Sequence, residues 1–155
     1  MIDEFLGKKA IILLYEVRNI WEYKYRKCVI FWNGDHFRSY VETKLHINHE
    51  QRIGYDSRTS PSTNIVCHGG ITFSGKLNFL NDNKWYFGMH FGHIGDYIMY
   101  WEVLRGGRKW RIQEIIEETE RMCDSVLEFE EKYPEYKRIF EIFNTELNNV
   151  FESKL

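Results

Sequence analysis

All six histidines of this chain, His36, His46, His49, His68, His90 and His93, fall between residues 36 and 93. Six of the eleven glycines crowd into residues 69–95, interrupting segments that otherwise have strand composition. Glycine weakens a strand interior, so this density points to bulges or to places where a ligand approaches the backbone closely. The first half of the region reads Cys67-His68-Gly69-Gly70-Ile71-Thr72-Phe73-Ser74-Gly75-Lys76. An imidazole, two glycines able to aim N–H groups at an anion, the hydroxyls of Thr72 and Ser74 and the cation of Lys76 together suit a phosphate or a developing oxyanion. The pattern is neither Gly-x4-Gly-Lys-Ser/Thr nor GxGxxG, so it defines no standard nucleotide loop. A bulged strand holding a buried, hydrogen-bonded histidine accounts for the same residues equally well.

The second half reads Phe87-Gly88-Met89-His90-Phe91-Gly92-His93-Ile94-Gly95-Asp96. Asp96, three residues after His93, can fix the imidazole tautomer and make an oriented general base. His68, His93 and Asp96, with His90 beside them, are therefore the candidate acid–base groups. The same four side chains could ligate zinc or iron, which is the lesser alternative. Their spacing matches no standard metal pattern, and residues 90 and 93 of an extended strand point to opposite faces, so no metal is expected. Further along, Arg105, Arg108, Lys109 and Arg111 bracket the start of an amphipathic helix, where the macrodipole favours negative charge. Either Arg108 and its neighbours hold a phosphate there, or they form a solvated basic turn balanced by Glu114, Glu117 and Glu118. The second is the simpler reading.

These groups need a scaffold, and hydrophobic periodicity supplies its outline. The apolar run 10–17 has strand length, although periodicity alone does not separate strand from helix. Residues 27–32 and 36–43 flank Asn33-Gly34-Asp35, which predicts a β-hairpin. Residues 44–64 turn polar and hold Gly54, Pro61 and a Ser/Thr cluster, so they predict a long surface loop. Residues 64–67 continuing into 71–73 predict a strand that pairs with 84–91 across the turn-rich 78–83, and 96–103 could add another. After Gly106-Gly107 the period changes. Ile112, Ile115, Ile116, Met122, Cys123, Val126 and Phe129 recur at three- and four-residue steps, predicting a helix from about 109 to 132. Pro134 then opens a second apolar stripe that reaches Phe151. The fold class is α+β, an antiparallel sheet of about four to six strands against two C-terminal helices, strand-rich over 9–103 and helical over 109–152.

The chain has 155 residues, enough for a single domain with its own core and too few for two independent ones. Formal net charge is −2, so the global attraction that drives binding to long nucleic acid is missing and any polyanion site must be local. The 17% aromatic content can fill a core or supply a base-stacking pocket, the core use being the more ordinary. Three cysteines at wide spacings form no disulfide ladder and suggest a reducing compartment. No leader pattern opens the chain, and no apolar run approaches the roughly 20 residues that span a bilayer. A cytoplasmic protein without membrane contact, able to form a homo-oligomer, is the expectation.

Taken together, Val66-Cys-His-Gly-Gly-Ile-Thr-Phe-Ser-Gly75, Trp85-Tyr-Phe-Gly88, His93-x-Gly-Asp96 and a helix opened by Arg/Trp/Arg resemble a widespread family of small bacteriophage and prophage proteins. The resemblance extends from about Cys28 to Phe129, and the combination is more specific than any one piece. The family pattern usually has aspartate where this chain has His90, so an acid at that position does not carry over. Small phage proteins often counter bacterial immunity, and several such families bind or destroy nucleotide second messengers. By that analogy of origin, the leading expectation is a phage-type anti-defence enzyme. It would cleave a phosphate-containing nucleotide signal with His68 and the His93/Asp96 pair, helped by Gly69, Gly70, Thr72, Ser74, Lys76 and Arg108. One rival is a non-catalytic sponge that sequesters the nucleotide. Another is a protein-binding inhibitor of a host factor using Trp21, Tyr23 and Tyr25.

Overall fold

Asn33 and Gly34 build the hairpin that the sequence announces. The Asn33 side-chain oxygen accepts from the N–H groups of Asp35 and His36 at 3.0 and 2.9 Å, and Gly34 takes φ of 90°. This Asx geometry reverses the chain between β2 (Arg26–Trp32) and β3 (Phe37–Thr43), which pair antiparallel with Trp32 opposite Phe37. The computed structural model describes residues 16–48, 59–92, 109–134 and 136. Before β2 runs β1 (Glu16–Tyr23), joined to it through Lys24 and Tyr25, both at positive φ. Later come a short helix α1 (Pro61–Asn64), β4 (Phe73–Lys76), β5 (Trp85–His90) and the long helix α2 (Ile112–Lys132). The five strands form one sheet in the order β1-β2-β3-β5-β4, every neighbouring pair antiparallel. The expected α+β class is thus present.

Side chains alternate across a strand, so each strand serves two cores. Cys28, Ile30, Val41, Phe87, Met89 and Phe91 face α2, whose Ile115, Met122, Cys123, Val126 and Phe129 recur with the helical period and are all buried. Val29, Tyr40 and Tyr86 face the other way and meet Leu77, with Leu80 packed against them. At the far end of α2, Arg26 and Glu130 pair at 2.7 Å, and the Glu130 carboxylate also accepts from Thr43 Oγ1 at 2.8 Å.

Two expectations change. Residues 64–67 are not strand: Ser60 caps α1 by accepting from Thr63 N–H, Pro61 opens the helix, and the strand begins only at Phe73. Proline at the first helical position and a serine cap favour that local turn over extension. Residues 44–64 were expected to form a surface loop, yet Leu45, Ile47 and Pro61 are buried. Isolated apolar residues in a polar stretch close the edges of the core between sheet and helix. The second C-terminal helix, the strand over 96–103 and most of the apolar run 10–17 lie outside the described residues. Among the described residues no helix is long and apolar enough to cross a membrane.

Candidate functional site

Cys67, His68, Gly69 and Gly70 form a tight turn closed by Gly70 N–H donating to Cys67 O at 3.1 Å. Gly69 at φ 67° occupies the third turn position, where a positive φ favours glycine. One of the N–H groups expected to face an anion is therefore engaged in the turn itself. The turn lays the His68 ring flat on Phe91, centroids 4.9 Å apart and planes 7° apart, with the Trp110 ring edge-on at 4.8 Å. Phe91 and Trp110 also meet edge-to-face at 4.9 Å. The imidazole thus packs on one aromatic face and against a second ring.

Phe91 and Trp110 are two walls of a cleft of about 440 Å³, completed by Trp32, Phe37, Ile112, Arg18 and Lys109. Trp32 and Phe37, opposite each other in the hairpin, pack edge-on at 4.7 Å. Arg18 arrives by a different device. The β1–β2 register shifts between Val17 and Asn19, leaving Arg18 as the extra residue of a bulge. A bulge re-aims a side chain, and here the re-aimed guanidinium lines the cleft while pairing with Glu16 at 3.3 Å. At the opening of α2, Glu114 reaches back to accept from Arg111 N–H at 3.2 Å. A space with four aromatic rings and two cations suits a flat, negatively charged ligand.

The other expected site residues are dispersed. His90 lies opposite Arg38 in the β3–β5 register and points away from α2, whereas His68 rests on the α2 side. The sheet thus separates these two histidines. Ser74 is buried and its hydroxyl donates to Ile47 O, a bond that fastens residues 44–48 to β4. Lys76 donates to Asn83 Oδ1 at 2.7 Å and sits 5.7 Å from the Trp85 ring. On the same edge His46 stacks on Trp85 at 5.1 Å, and burial followed by the charge of Lys76 lowers its pKa. Thr72 donates its N–H to Gly88 O at 2.9 Å and lines a separate cavity with His90. His93, Asp96 and Arg108 lie outside the described residues. Beside His68, burial pushes the Cys67 thiol up to about 12, so it is no thiolate nucleophile near neutrality. Among the described residues no group of three or more His, Cys, Asp or Glu side chains is placed to hold a metal ion.

Sequence reasoning missed Arg18, Trp32, Phe37 and Trp110 as cleft residues. For the three aromatics the signal was the aromatic surplus, which by itself is core material, joined for Trp110 by its place in the Arg/Trp/Arg helix opening; Arg18 had none. Of the aromatics offered for docking a host protein, Trp21 and Tyr23 pack against the main core, and Tyr23 OH donates to Asp124 at 3.2 Å. Tyr25 alone of the three is exposed. No protein-family model matches this chain, and neither a curated protein nor a solved structure does.

Proposed function

We propose that the protein binds and sequesters a small phosphate-bearing nucleotide, its base among Trp32, Phe37, Phe91 and Trp110 and its phosphate toward Arg18 and Lys109. The observation that carries this reading is the cleft of about 440 Å³ combining those four rings with two cations. Base–aromatic stacking contributes about 1–3 kcal/mol per base. The resemblance to phage proteins supports taking the nucleotide to be an immune signal, with capture in the host cytoplasm as the role. Cleavage is the second reading, favoured by the His68 ring against two walls of the cleft. It requires His93 and Asp96 as the partner acid and base.

Incubation with a panel of cyclic and ADP-ribose-type nucleotides, followed by denaturation and mass spectrometry, tests both. Intact ligand released from the protein is the expected result. Trp110→Ala should then weaken binding by about 10-fold to 100-fold. His68→Phe, which keeps a flat ring against Phe91, should retain capture. Products formed by the wild type and lost in His68→Phe would replace capture with acid–base cleavage. Neither ligand nor products from any nucleotide in the panel would remove the proposal.

A further inference from the structure

The face of the sheet turned away from α2 carries a second cavity, of about 200 Å³, lined by Arg38, Tyr40, Thr72, Phe73, Met89 and His90. Three alternating positions of one strand and its extension shape it. His90 stands between Gly88 and Gly92, and each glycine provides space that a side chain would close. A Cβ at Gly88 would lie 2.6 Å from Tyr40 Cδ1, so the Tyr40 ring lies directly over that backbone. A Cβ at Gly92 would come within 3.0 Å of both His36 Cδ2 and His90 Nδ1. The two imidazoles consequently meet there with centroids 5.3 Å apart. His36 is fixed by Asp35 Oδ2 at 3.2 Å from Nδ1 and by Asn33 Nδ2 at 3.4 Å from Nε2. It supports His90 and has no ring nitrogen left for a metal. Burial raises the Tyr40 hydroxyl, and the Arg38 guanidinium beside it opposes that shift.

We infer that this cavity is a second, separate binding site, taking one tetrahedral oxyanion of phosphate size between the Arg38 guanidinium, the Thr72 hydroxyl and the His90 ring. Pockets for drug-sized ligands typically measure roughly 300 Å³ or more, so this smaller volume favours a compact ion over a whole nucleotide. Guanidinium and hydroxyl donors in a half-enclosed site are the groups that recognise a compact oxyanion. Because the sheet lies between the two cavities, this site stands or falls independently of nucleotide capture.

Titration of the full-length, isotope-labelled protein with inorganic phosphate, followed by amide and imidazole NMR signals, tests the assignment. Saturable shifts should centre on Arg38, Thr72 and His90 and persist in Trp110→Ala. Arg38→Gln should lower phosphate affinity at least about tenfold while the spectrum stays folded. Gly92→Ala should weaken it as well by displacing the imidazoles. Phenyl phosphate in a parallel titration separates the two sources of the same chemistry. Shifts from phosphate alone identify a free ion, and equal shifts from both identify the terminal group of a phosphomonoester. Absence of saturable shifts in the wild type overturns the site, and this arm needs no variant to fold. So does phosphate binding that survives Arg38→Gln or that disappears with Lys109→Gln.

Discussion

The two faces of the sheet solve the same burial problem with different materials. Toward α2, fifteen of the described residues join in one buried cluster, and the Arg26–Glu130 pair holds the far end of the helix that covers them. On the opposite face, among the described residues, Val29, Tyr40, Leu77 and Tyr86 form the buried cluster, covered by the chain's own reversal between β4 and β5. There Phe79 stacks on Phe31 at 4.7 Å, and Asp82 gathers Tyr86 OH at 2.5 Å and Lys27 at 3.0 Å. The helical side leaves its gap between large rings, which makes an apolar cleft with charged margins. The side covered by the reversal leaves its gap over glycine backbone, which makes a small polar one. A single strand feeds both, with Phe87, Met89 and Phe91 on one side and Tyr86, Gly88 and His90 on the other. Covering material, more than strand sequence, decides the size and polarity of the gap on each face.

The strongest way to break this contrast is to remove the helix clamp. Arg26 and Glu130 side chains are each only 11% exposed. Glu130→Ala strips the carboxylate from a buried guanidinium that keeps a 3.4 Å contact to Glu42 O, and should cost about 3–5 kcal/mol in urea denaturation. Asp82→Asn tests the other face and should cost about 1.5–3 kcal/mol, the range for hydrogen bonds to a charged group. A larger loss for Asp82→Asn than for Glu130→Ala would invert the comparison.

Acid adds a sharper test at Asp82. Burial raises its pKa, but hydrogen bonds from Tyr86, Lys27 and Lys84 N–H outweigh burial and hold the carboxyl below its ordinary 3.8. The folded carboxyl therefore binds its proton more weakly than the unfolded one. The stability it confers is whole above pH 3.8 and lost as pH falls through the lower folded value. Wild type and Asp82→Asn should differ by a constant amount near neutrality and converge in that acid window.

Gly88→Ala should cost about 1–3 kcal/mol by driving a methyl into the Tyr40 ring. In a Tyr40→Ala background, itself destabilised by the lost ring, Gly88→Ala should cost less than it does in the wild type. Tyr25→Ser, at a side chain 90% exposed, should stay within about 0.5 kcal/mol by thermal melting.

Legibility followed chemistry that is local. The Asn33-Gly34 hairpin and the 3.6-residue stripe of α2 were readable because turn and period are written in consecutive residues. Strand β1 was not. Its turn places Lys24 and Tyr25 at φ of 48° and 63°, a conformation ordinarily signalled by Asn and Gly. Its own Glu16, Arg18, Asn19 and Glu22 obscure the alternation. The glycine cluster reads in sequence as one site, yet His68 and His90 stand on opposite sides of the sheet, because sequence does not say on which side of β5 a ring will settle. The cleft escaped notice for a related reason. Trp32 and Trp110 come from elements far apart in the chain, and only the packing of α2 onto β2 and β3 brings them together.

The helix clamp also bears on how fast the molecule assembles. The Arg26–Glu130 contact spans 104 positions, whereas β1, β2 and β3 are joined by turns of two to four residues. Closing so long a loop delays contacts that reward it. We expect the three-stranded meander to form in the transition state and helix docking to follow it. Chevron kinetics would then show Glu130→Ala accelerating unfolding with little change in the refolding limb, while disruption at Gly34 slows refolding. The cleft between Trp110 and the hairpin would be the last part of the molecule to exist, so a ligand seated there would act as a brake on unfolding and leave the speed of folding unchanged.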